Sequence, residues 1–199
     1  EPLYAMGITG VFTKDLDIAL QTHSLELNHQ ENATKILDYV EFKLRENDRN
    51  LSKTDIINII VNLQQSFICF LAGLPGGGKT TLAKILGQIY GIYEKRFLNV
   101  PVARGWTAQK DLIGFMNPIS NKFQPSSTGL YEFLLALNEE KNNGDSNPLS
   151  LVLLDEANLS PIEHYWSAFM GISDSKKDKI LRLGEDKLLI PESLRFIST

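Results

Sequence analysis

The run Gly73-Leu74-Pro75-Gly76-Gly77-Gly78-Lys79-Thr80 brings glycines, an ammonium and a hydroxyl together at a spacing suited to a polyphosphate. Its glycines allow successive backbone N–H groups to turn inward on an anion, and a following helix presents its positive dipole end to the same charge. Lys79 has the reach for β- and γ-phosphates, and the Thr80 hydroxyl is a hard ligand for Mg²⁺. The predicted nucleotide contacts run from Gly73 through Thr81.

A second group with matching chemistry is Asp155-Glu156, which closes the apolar run Leu151-Val152-Leu153-Leu154. A carboxylate at the end of a buried parallel strand faces the edge where open α/β sheets bind ligands. Asp155 is predicted to hold Mg²⁺, directly or through water, and Glu156 to orient and polarise the attacking water. Phosphoryl transfer needs positioning and charge neutralisation more than covalent chemistry, and Lys79, Thr80, Asp155 and Glu156 supply those parts.

Those residues need strands ending at one edge and helices returning behind them. Phe67-Ile68-Cys69-Phe70-Leu71-Ala72 reads as the strand before the loop, and 79–90 as the helix after it. Further strands are predicted at 97–102, 151–154 and 194–198, with helices at Gly129–Glu140 and Pro161–Met170. Strands separated by helices predict a parallel sheet with helices on both faces. Two segments break the alternation. Residues 105–128 read as a hairpin-like insert rather than a helix, and 180–190 as a β-hairpin around Gly184.

Upstream, Leu16, Leu20 and Leu27 hint at one short helix, and Ile36, Leu37, Val40 and Leu44 recur at helical spacing. Ser52 and Asp55 resemble a capping box before Ile56, Ile57, Ile59, Ile60 and Leu63. The division is therefore an N-terminal helical extension or linker over 1–66 and an α/β core over 67–199. Residues 1–66 hold six Lys/Arg against ten Asp/Glu, whereas 67–199 hold fourteen of each, so the acidic excess belongs to the extension.

With 199 residues, 43% hydrophobic and 22% charged, the chain has ordinary globular proportions and length for one α/β core. A net charge of −4 gives no general basic footprint for nucleic acid. One cysteine, Cys69, permits no intrachain disulfide, which fits a reducing cytoplasm, and its apolar surroundings indicate a structural thiol. No apolar stretch approaches the ~20 residues that span a bilayer, so no membrane partner is expected. The opening Glu1-Pro2 and the final Thr199 inside a strand lead us to expect a piece of a larger protein.

Several other residues have milder readings. His164 lacks a Cys/His partner at metal-ligand spacing, and Trp106 and Trp166 are expected in aromatic packing rather than on a base. Lys176, Lys177 and Lys179 are diluted by Asp174, Asp178, Glu185 and Asp186, which predicts a solvated loop. Asn158 suits equally a turn and a role in orienting groups around Glu156, and Arg104 and Arg195 suit solvated or structural roles.

Leu74-Pro75-Gly76-Gly77-Gly78-Lys79-Thr80 together with Leu154-Asp155-Glu156-Ala157-Asn158 resembles the AAA+ ATPases. Gly105-Trp106-Thr107, Asp111-Leu112-Ile113-Gly114-Phe115, Asn117-Pro118 and Glu163-His164-Tyr165-Trp166 resemble the McrB-related branch, allied to MoxR-like and dynein-related proteins. The resemblance covers residues 67–199 and implies a P-loop core with an insert in its second helix and a hairpin before the sensor-1 strand. Residues 105–128 and 180–190 fall where those two additions belong. It further implies a Mg²⁺-dependent ATPase, working as a homo-oligomeric ring, usually hexameric, in which a neighbouring subunit donates an arginine finger. The sensor-1 polar residue, the finger and the helical lid would follow Thr199. The expected role is a DNA-acting motor with a separate nuclease subunit. GTP in place of ATP, a MoxR-like protein-remodelling chaperone, and a nucleotide-gated scaffold without turnover are the alternatives; Glu156 speaks against the last.

Overall fold

A computed structural model describes residues 29–143, 148–173, 179–184 and 186–199. The chain begins there with two helices, α1 (His29–Glu46) and α2 (Lys53–Gln65). Ser52 caps α2: its Oγ accepts the Asp55 N–H at 3.1 Å and donates to Asp55 Oδ2 at 2.7 Å. The predicted reciprocity is thus closed between the two side chains rather than through the Ser52 backbone. The short helix anticipated from Leu16, Leu20 and Leu27 lies outside the described residues.

The core follows as β1 (Ile68–Phe70), α3 (Lys79–Ile89) and β2 (Phe97–Pro101). Next come α4 (Gln109–Leu112), the hairpin β3 (Gly114–Asn117) and β4 (Lys122–Pro125), and α5 (Leu130–Asn142). Then β5 (Ser150–Asp155) leads to two short helices, α6 (Ile162–Tyr165) and α7 (Ser167–Ser173). The hairpin β6 (Lys179–Leu183) and β7 (Asp186–Ile190) precedes β8 (Leu194–Ser198).

Four strands form one parallel sheet in the order β1-β8-β5-β2, while β3–β4 and β6–β7 are separate antiparallel pairs. The buried run of β5 feeds two cores by simple alternation. Val152 and Leu154 pack with Val100, Phe196, Leu134 of α5 and Phe169 of α7. Leu151 and Leu153 pack with Ile197 and with Val40, Ile56, Ile60 and Leu86 from α1, α2 and α3. A parallel sheet flanked by helices results, and β5 is covered on both faces, as its unbroken hydrophobicity requires.

The segment 161–170 departs from the single helix expected of it. Pro161 is the capping residue of α6, and the helix breaks at Trp166. That indole packs on Phe169 and Phe196 at 4.5 Å each, and the Phe169 N–H bonds back only three residues, to Trp166 O. Burial of a large ring at the junction outweighs helix continuity. The 105–128 segment forms the expected hairpin and adds the short helix α4.

Arg96, at the entrance to β2, ties three elements together. Its guanidinium grips Glu140 of α5 with bonds of 2.9 and 2.8 Å, and Nε donates to Ser150 Oγ of β5 at 3.1 Å. Arg96→Ala is expected to lower stability by roughly 1–2 kcal/mol, the partial exposure of Glu140 limiting the loss. Urea unfolding followed by circular dichroism measures it, with an unchanged m-value confirming an intact fold.

Candidate functional site

Strand register sets the geometry of the sheet's carboxyl edge. Phe70 lies opposite Ser198, Ser198 opposite Leu154, and Pro101 opposite Asp155. The ends of β1, β8 and β5 therefore finish side by side, and each continues into a residue with polar chemistry. The glycine loop leaves β1, Thr199 leaves β8, and Asp155-Glu156 ends β5.

The loop owes its path to glycine. Gly76 and Gly78 hold φ of 77° and 75°, a left-handed conformation that L side chains resist. Gly78 caps α3, so the N–H groups of Lys79 and Thr80 open the helix with no carbonyl a turn earlier to accept them. The tip is open to solvent, with Leu74 83% exposed. Lys79 folds back over it, donating from Nζ to Gly73 O and Leu74 O at 3.2 Å each. Both acceptors are neutral carbonyls, so neither bond is an ion pair.

The first turn of α3 and the end of β5 then meet. Thr80 Oγ1 donates to Asp155 Oδ1 at 2.5 Å, across 75 residues of sequence. Thr199 Oγ1 donates to the same oxygen at 3.0 Å and accepts the Glu156 N–H at 3.2 Å. Thr199 was not picked out in the sequence. A lone threonine after an apolar run looks like any strand end, and only the placement of β8 between β1 and β5 makes it part of the site.

Glu156 is exposed and holds φ 55°, ψ 44°. A left-handed non-glycine residue is uncommon and recurs in tight turns and at active sites; Asp48 and Asn121 share the conformation in turns of this chain. Its strained turn is held by the Ala157 N–H on Thr199 O at 2.8 Å and by Tyr165 Oη on Ala157 O at 3.1 Å. Thr81 is exposed beside the loop, and Asn158 is exposed in the short 3₁₀ turn after Glu156.

The solvated loop expected of Lys179 is not what forms, because Lys179 opens β6 and is half-buried. Trp166 is buried, and Trp106 meets Tyr165 edge-on at 5.3 Å. His164 is exposed, and no cluster of three His, Cys, Asp or Glu side chains suits a metal among the described residues. Mg²⁺ does not need one, because it is commonly held by one or two protein oxygens plus phosphate and water. The Thr80–Asp155 pair fits that demand. Arg195 is structural: it donates to Leu63 O and Gln64 O at the end of α2, at 3.0 and 2.7 Å. Arg104 is exposed. Lys179 lies 4.5 Å over the Phe67 ring, and burial lowers its pKa, whereas Lys176 and Lys177 fall outside the described residues. Cys69 is half-buried, and desolvation raises its thiol pKa, as befits an inert thiol.

The site defines a class of architecture: a parallel α/β sheet with a glycine loop entering a helix at its carboxyl edge. No protein-family model matches the chain, and no curated protein matches it. No described helix is long and apolar enough to cross a membrane.

Proposed function

We propose that this chain is a Mg²⁺-dependent nucleoside triphosphatase of the AAA+ type, from the McrB-related branch that its motifs resemble. The carrying observation is the 2.5 Å meeting of Thr80 and Asp155 beneath the glycine loop. It joins residues that the primary structure keeps far apart and that share no need to touch in an ordinary core. The two antiparallel hairpins outside the sheet support the AAA+ reading, because they match the insert and the pre-sensor-1 hairpin that the resemblance implies.

In this reading the triphosphate lies along Gly73–Thr81, with backbone N–H groups and the Lys79 ammonium on its β- and γ-oxygens. Thr80 and Asp155 would hold Mg²⁺, which would supply charge to offset that of the phosphates. Glu156 accepts the proton of the attacking water as its oxygen bonds to the γ-phosphorus and the bond to the β,γ-bridging oxygen breaks. Thr199 fixes both acidic residues, through the Asp155 carboxylate and the Glu156 backbone. ATP is the expected nucleotide, with GTP as the alternative. The resemblance assigns the chain to a homo-oligomeric ring that moves DNA for a nuclease subunit.

Asp155→Asn tests the metal role. The amide oxygen still accepts from Thr80 and Thr199, but the charge is lost, so the Mg²⁺ concentration for half-maximal hydrolysis should rise about tenfold or more. A Mg²⁺ titration of phosphate release measures it. The proposed function as a whole is tested by phosphate release from ATP and GTP, with and without Mg²⁺, duplex DNA and salt. The reading requires Mg²⁺-dependent turnover stimulated by DNA in a salt-sensitive way. Turnover indifferent to DNA would move the client from DNA to protein, and absence of turnover with both nucleotides in a longer chain carrying the arginine finger and lid that the resemblance implies would overturn the enzyme.

A further inference from the structure

Arg49 sits in the turn between α1 and α2 and reaches the glycine loop. The turn is firmly made: Asp48 holds φ 56°, and the Asn47 and Arg49 N–H groups both bond to Leu44 O, at 3.1 and 2.9 Å. Leu44 itself is buried in the core shared by α1, α2 and α3. The backbone therefore aims the Arg49 side chain, and the guanidinium comes to rest against the last two glycines. Its Nη1 approaches Gly77 O at 3.5 Å, and a side chain added at Gly78 would collide with the guanidinium.

This cation is poorly satisfied. Its Nε is shielded from solvent without a hydrogen-bond partner, and no ion pair joins Arg49 to a carboxylate among the described residues. The contact to Gly77 O is at the long limit of a hydrogen bond. Arg96 and Arg195 differ, since each spreads its donors over several acceptors at ordinary distances. A guanidinium has five donors in a planar fork that matches phosphate oxygens. What Arg49 lacks is an anion, and it lies on the loop that is shaped to receive one.

We propose that Arg49 is a phosphate-binding residue, a second cation beside Lys79, through which the α1–α2 turn closes on a bound triphosphate. This rests on the reading of Gly73–Thr81 as the triphosphate loop. Arg49 would swing from its weak hold on Gly77 O to a phosphate oxygen, so that occupancy of the loop is felt by the N-terminal helices.

The test is calorimetric titration of the wild type, Arg49→Ala, Arg49→Lys and Lys79→Ala with Mg²⁺ complexes of ATP, GTP and inorganic tripolyphosphate. Arg49→Ala should weaken nucleotide and tripolyphosphate alike by about ten- to hundredfold, the scale of a lost charged hydrogen bond. Arg49→Lys keeps the charge without the fork and should fall between. Amide exchange at residues 47–52 should slow with ATP in the wild type and not in Arg49→Ala. If Arg49→Ala melts early, Arg49→Lys carries the comparison. Wild-type affinity in Arg49→Ala, or tighter binding, would overturn the inference while leaving the loop intact; loss for nucleotide but not tripolyphosphate would also overturn it. Failure of the wild type to bind any of the three probes would instead remove the triphosphate reading itself.

Discussion

Glu156→Gln is expected to bind Mg²⁺·ATP or Mg²⁺·GTP as the wild type does and to turn over about 10²–10⁴-fold more slowly. The amide keeps the size of the carboxylate but cannot take a proton from water. Glu156 is exposed, and its left-handed backbone is held by Thr199 from behind, so the substitution leaves the strained turn with its supports. Single-turnover phosphate release, read beside an equilibrium binding curve, separates the two effects. Turnover at the wild-type rate would make Glu156 a structural end to β5 and leave the reaction without its base.

Lys79→Ala is expected to act one step earlier, on binding. Among the described residues the ammonium is held only by Gly73 O and Leu74 O, so its removal breaks two neutral bonds in the free protein and costs little stability. A bound triphosphate loses its main side-chain countercharge, which should weaken affinity by about a hundredfold or more. Calorimetry with both nucleotides measures it, and a melting curve checks the fold. Unchanged affinity would mean that the glycine run is only a turn into α3.

Much of this candidate site is legible in the sequence, for definite physical reasons. Two of the loop glycines require positive φ, and a helix with apolar periodicity had to follow them. The unbroken apolar run Leu151–Leu154 is the sign of a strand buried on both faces, and β5 shows the alternation that divides its side chains between two cores. Hairpins were readable where polar turn residues separate short apolar pieces, as at β6–β7.

What escaped was long-range. Thr199 and Arg49 have no local pattern that marks them; each joins the site because a strand order or a helix turn brings it there. The break at Trp166 was hidden for a related reason, since helical spacing through 161–170 says nothing of a ring that packs on Phe196 from another strand. Periodicity reports one element at a time, and these three residues act between elements.

The central claim is that Gly73–Thr81 and Asp155 together hold a magnesium nucleoside triphosphate. Titration of Mg²⁺·ATP and Mg²⁺·GTP into isotopically labelled protein, followed by amide resonances, tests it most directly. The account predicts saturable shifts concentrated at residues 73–81, 155–156 and 199 with at least one nucleotide, reduced when Mg²⁺ is removed. An unchanged spectrum at millimolar concentrations of both, or shifts confined to another face of the sheet, would contradict it.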